Sequence, residues 1–202
     1  MTSSRSAPPA GILGVDRTPH DQRVCYDPGV GAQPSARRVS VPHALAFCLA
    51  LLLAARLSSI WPQLPERMAS HFGPSGRPDA WMPRASFIVT LLGAGVGTSA
   101  LLLLMSPLLR RLPPSMINLP HREYWLAEER RAESMRRLSQ NLAWLGFCTA
   151  AFMAFVAELT LEANLAHSAL DNRLFIAGLL AYALAIFVLM IALFRAFRVP
   201  DA

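Results

Sequence analysis

The sequence predicts an all-α fold, an integral membrane bundle of four transmembrane helices with both termini cytoplasmic. Three observations carry this. Hydrophobic residues make up 53% of the 202-residue chain and charged residues only 16%, against about 25% charged in ordinary soluble domains. The apolar residues are gathered into four long blocks with no two-residue alternation, so neither a soluble core nor a β-barrel fits them. The arginines cluster on alternate sides of those blocks.

Residues 1–40 are rich in Ser, Pro, Gly and Arg and lack apolar periodicity, which reads as a disordered cytoplasmic tail. The membrane domain spans residues 41–202. A helix needs roughly 20 apolar residues to cross the hydrocarbon core. Four stretches meet that length, at about 42–61, 85–109, 141–161 and 174–194. Inside lipid the backbone must satisfy its own hydrogen bonds, so these runs are helical.

Orientation follows from the arginines, which supply all 19 basic residues. The tail, the 110–140 loop and the C-terminal end together hold fourteen of them, and the 62–84 loop and the third connection hold four. Basic loops stay on the cytoplasmic side. The 62–84 loop is therefore expected outside and the 110–140 loop inside. The net charge of +6 thus belongs to topology rather than to nucleic acid.

The outer loop carries five prolines and two glycines, a stiff connection folded over the helix ends. Pro at its first position favours a short helical turn over residues 65–69. Trp61, Phe72 and Trp81 suit the headgroup level. In the cytoplasmic loop, Pro113 and Pro114 stop the second helix. Residues 123–137 read as a charged helix that runs without a break into the third span, with Glu133 and Arg137 paired at i,i+4.

Charges within the spans are costly, about 2.5–3.5 kcal/mol at the bilayer centre and less towards the edge. Arg56 interrupts the first span, and Glu158 lies late in the third, with Glu162 one turn beyond on the same face. Antiparallel counting places Arg56 and Glu158 at similar depth, so they form a candidate intramembrane polar site. The alternative leaves Arg56 reaching to the headgroups and both glutamates at the interface. Gly93 and Gly97 have GxxxG spacing, which favours helix packing within the bundle over a contact between two copies. His71 and Asp79 are two isolated metal-type side chains, too few for a structural zinc site. Cys25, Cys48 and Cys148 have no pairing or metal spacing. No catalytic residue, cofactor or metal is expected.

The order of residues in the outer loop resembles a known family. Leu64-Pro65, His71-Phe72, then Gly76, Pro78, Asp79 and Trp81, with basic Arg84 before an apolar helix, is similar to the bacterial membrane domain catalogued as domain of unknown function 1648. The resemblance covers residues 42–110, with Arg where the pattern has Lys. That domain also forms the N-terminal end of immunity proteins for the sporulation-delaying toxin. Asn118, Pro120, Tyr124 and Trp125 resemble a cytoplasmic motif of such proteins, with Glu128 replacing an expected Pro. The immunity proteins have further helices that this chain lacks.

These readings give a multi-pass bacterial inner-membrane protein without enzymatic activity, sensing or protecting at the envelope. Its expected partners are the lipid bilayer and another membrane protein or a secreted peptide. The alternatives are a transport or assembly subunit built on Arg56 and Glu158, and a small membrane enzyme using His71 and Asp79.

Overall fold

The structure, a computed structural model, describes residues 40–199. The tail read over residues 1–40 lies outside the described residues, Ser40 apart. The described residues are predominantly helical, and four helices among them are long and apolar enough to cross a membrane.

Helix α1 covers Val41–Ile60 and carries Pro42 in its first turn, which its fixed φ suits. A 3-10 turn at Trp61–Gln63 closes it. The segment expected to be a stiff loop with a helical turn is instead a β-hairpin. Strand β1 (Arg67–Phe72) pairs antiparallel with β2 (Pro78–Pro83). Met68 opposes Met82 and Ala69 opposes Trp81, with a bulge at Ser70. The helical turn over 65–69 loses because extended backbone buries Met68 completely. Burial of such a side chain stabilises by about 1.5–3 kcal/mol.

The second membrane helix runs from Arg84 to Arg111 in four parts, the last a 3-10 turn at Leu109–Arg111. Helix α2 (Arg84–Leu92) passes through a π-turn at Gly93–Gly97 into α3 (Thr98–Leu108). Three glycines in five residues weaken the local helix enough for a wider turn to form. A short helix α4 (Arg122–Trp125) follows, and then α5, a 38-residue helix over Glu128–Leu165. The expected unbroken helix from residue 123 is therefore interrupted, because Ala127 is extended at ψ 147°. Glu128 and Glu129 occupy the first turn of α5, where the helix dipole favours acidic side chains. Helix α6 covers Asn172–Ala196, and its N-cap Asp171 accepts from the Arg173 and Leu174 amides.

Helix α5 is the centre of the bundle, with α1, α3 and α6 each packed against it. Two small cores sit at opposite ends. One, beneath the hairpin, joins Leu57, Ile60, Leu64, Met68, Phe87, Ile88 and Leu161. The other joins Ile117, Leu119, Met135 and Phe197. Between them the helix surfaces are apolar yet exposed, with Leu52, Val89, Leu104 and Leu180 each at 65% or more. No residue of α6 is buried. So large a bare apolar belt requires lipid around it.

Close helix approach uses glycines other than the expected pair. Positions 93 and 97 face open space, whereas a Cβ at Gly95 would lie 3.3 Å from Met153 Cβ. At Gly146 a Cβ would come within 2.9 Å of Leu103, and at Gly178 it would overlap the Phe155 ring. The GxxxG expectation for Gly93 and Gly97 is thus corrected within this chain: the π-turn rotates them outward and Gly95 inward.

Candidate functional site

The hairpin is fixed to the helix ends from both sides. Beneath β1, Asn164 near the end of α5 accepts from the Ala69 amide at 2.6 Å and donates to the Ala69 carbonyl at 3.1 Å. This is buried, and it takes both backbone groups of one residue, leaving neither unsatisfied. At the hairpin turn, Gly76 has φ +76° and a Cβ there would overlap the Leu170 carbonyl. Its own carbonyl accepts from the Leu170 amide at 2.8 Å, and Asn172 donates to the Pro74 carbonyl at 2.6 Å. The connection between α5 and α6 therefore grips the turn. Arg84 closes the base: its Nη1 donates to the Leu64 carbonyl at 2.9 Å and to the Trp61 carbonyl at 3.3 Å, with its guanidinium 4.7 Å from the Trp61 ring centre. A flat guanidinium does both tasks at once, which a Lys ammonium cannot match.

These contacts sort the outer-loop motif into two groups. Leu64, Gly76 and Arg84 build the hairpin and hold it down. His71, Asp79 and Trp81 are exposed. The Asp79 carboxylate lies 2.6 Å from His71 Nδ1, which orients the ring and leaves Nε2 to solvent. Pro65, Phe72 and Pro78 are half-buried, and Pro78 opposes Phe72 in the ladder. Among the described residues no group of three or more His, Cys, Asp and Glu side chains could hold a metal ion.

The charged residues of the spans come together nearby. Arg56 Nε donates to Glu158 Oε1 at 2.9 Å, and its Nη2 reaches both Glu158, at 2.8 Å, and Glu162. All three are a third exposed or more. The cluster is one turn below Ile60 on α1, and on α5 it is interleaved with Leu161 and Asn164, which hold the hairpin. One guanidinium faces two carboxylates, so the cluster carries a net negative charge when both are ionised.

At the opposite end, the Trp125 indole donates to the Phe197 carbonyl at 2.9 Å and its ring meets Phe197 edge to face. Tyr124 packs edge to face on Trp125 and lies under Arg130. Asn118 and Pro120 are exposed. Glu133 accepts from Arg136 and from Arg137, the latter at 2.8 Å across i,i+4. The two Arg136 hydrogen bonds, with the one from Arg137, hold the Glu133 carboxyl down at about 2. Glu133 precedes the apolar part of α5.

Asn164, Asn172 and Leu170 are the contributors that sequence reasoning missed. Asn164 leaves a signal: it continues the face of Ala157 and Leu161, so an amide stands where an apolar residue is due.

Residues 46–95 match the family described as Domain of unknown function (DUF1648). The match starts in α1, contains the whole hairpin and ends within the π-turn, about a quarter of the chain. No curated protein and no solved structure matches this chain.

Proposed function

We propose that this chain is a non-enzymatic, multi-pass protein of the bacterial inner membrane that presents its hairpin on the outer face, in envelope sensing or immunity-like protection. The observation that carries this reading is the division of labour in the hairpin. Several residues clamp it rigidly to the helix ends, while His71, Asp79 and Trp81 stand exposed with no packing task. A rigid base with exposed polar and aromatic side chains suits recognition of a partner at the surface. A secreted peptide or another membrane protein is the partner class. The family's occurrence in toxin immunity proteins supports the protective reading by resemblance.

The topology rests on the excess of arginine in the tail, the 110–140 loop and the C-terminal end. Reporter fusions at residues 75 and 118 test it. An outside signal at 75 and an inside signal at 118 are expected, and the reverse overturns the orientation. The role is tested by exposing cells to membrane-active secreted peptides. Cells expressing the chain should survive better than cells without it, and His71→Ala with Trp81→Ala should remove the advantage at equal protein level. Equal survival with and without the chain overturns the protective role.

One observation favours a second reading. The half-exposed Arg56–Glu158–Glu162 cluster between α1 and α5 is a polar feature in an apolar bundle, as a transport or assembly subunit would need. Solute accumulation in vesicles that depends on Glu158 would support it. A small membrane enzyme is the third reading, and an activity lost in His71→Ala without loss of protein would support that one.

A further inference from the structure

The end of α6 farthest from the hairpin carries a pocket that neither the hairpin nor the charge cluster uses. Its volume is about 470 Å³. Ile191, Phe194 and buried Phe197 line it together with Arg195, Arg198 and His121. The apolar run of α6 stops at Arg195. The pocket thus straddles the boundary where hydrocarbon gives way to headgroups.

A helix C-terminus presents carbonyl oxygens and repels anions. Here two of those carbonyls are already engaged. Arg137 donates to the Ala196 carbonyl at 3.2 Å and Trp125 to the Phe197 carbonyl at 2.9 Å. Among the described residues, Arg195 and Arg198 form no ion pair. Arg195, Arg198 and His121 therefore line a space beside which two helix-end carbonyls are already engaged. Guanidinium groups match phosphate oxygens by paired donation.

We infer that this pocket binds the headgroup of an anionic phospholipid, with Arg195 and Arg198 on the phosphate and Ile191 and Phe194 along the acyl chain. His121 lines the same pocket. It adds an N–H donor from a left-handed backbone conformation at φ 51°, which sets its ring at the start of α4. The bilayer supplies this ligand from the side, where α6 is bare. The assignment depends on the pocket and the end of the apolar run, not on which way round the chain sits in the membrane.

The test uses the full chain in a neutral detergent, with thermal unfolding followed as lipid is added. Phosphatidylglycerol should stabilise it more than phosphatidylcholine of the same chain length. Each of Arg195→Gln and Arg198→Gln should raise the half-saturating phosphatidylglycerol concentration about fivefold, and the pair roughly 25-fold. Replacement of both by Lys keeps charge and should retain the preference, separating loss of the site from loss of the fold. Arg110→Gln with Arg111→Gln, outside the pocket, should leave the preference intact. The assignment is overturned by equal stabilisation from both lipids, by a preference that survives the Arg195/Arg198 double change, or by one that also disappears with Arg110 and Arg111. Glycerol phosphate at matched concentration is the last arm: equal stabilisation would make the ligand a soluble phosphate and not a lipid.

Discussion

Asn164 on α5 holds both backbone groups of Ala69 on β1, with Oδ1 at 2.6 Å from the amide and Nδ2 at 3.1 Å from the carbonyl. The same amide donates to the Thr160 carbonyl at 2.8 Å, which fixes its rotamer. A two-stranded hairpin is marginal by itself in water. This one is stable because a helix supplies the missing partners.

Asn164→Leu keeps the volume and removes those partners. It should cost about 1–3 kcal/mol, since a buried donor and acceptor are left unpaired. Amide exchange at Ala69 checks the location of the effect. Unchanged protection there would mean that the core beneath β1 holds the hairpin without Asn164.

Arg56, Glu158 and Glu162 depend on one another in a way that a charge exchange exposes. Arg56→Glu alone gathers three carboxylates, and protein level in the membrane should fall. Adding Glu158→Arg restores a guanidinium flanked by two carboxylates, and the level should recover. An exposed ion pair in water is worth only about 0–1 kcal/mol, whereas an unpaired charge within a span costs more. No recovery in the double variant would show that the three residues act independently.

The glycines separate into those with neighbours and those without. Gly76→Ala is strained at φ +76° and meets the Leu170 carbonyl, so it should destabilise the hairpin by about 1–2 kcal/mol or more. Gly93→Ala meets open space and should be neutral or stabilising by up to about 1 kcal/mol. Thermal melts of the two variants give the comparison. Equal melting temperatures would contradict the assigned clash.

Glu133 gives a pH signature at the start of α5. Its carboxyl is held at about 2, below the ordinary Glu value, by Arg136 and Arg137. A lowered folded pKa stabilises the folded form above the unfolded value of about 4.3. The contribution is lost as pH falls from there towards 2, and solvent and salt screen it. Protection of the α5 amides around Glu133, measured relative to intrinsic exchange at each pH, should therefore fall between pH 4 and pH 2 in the wild type and change less in Glu133→Gln. The same pH dependence in both would remove the ion pairs as its cause.

Much of the bundle was legible in advance. The spans expected at 42–61 and 174–194 lie within two residues of the ends of α1 and α6, because twenty apolar residues in lipid have no alternative to helix. Arg56 and Glu158 could be matched by depth alone, since helices rise by a fixed step. The strands could not be seen. Arg67 to Phe72 has no clean alternation, and Pro78 and Pro83 argue against a strand where no partner is known.

The sequence by itself determined that four apolar segments among the described residues can cross a bilayer and, to within two residues, where the first and last of them lie. Those are properties of single segments against a bilayer. Tertiary structure decided that the 62–84 segment is a hairpin, that Gly95 and not Gly93 or Gly97 faces a neighbour, and that Asn164 belongs to β1. Each of these depends on a second segment distant in the chain. A buried amide, a positive φ or a glycine has meaning only once the atoms it must satisfy or avoid are in place.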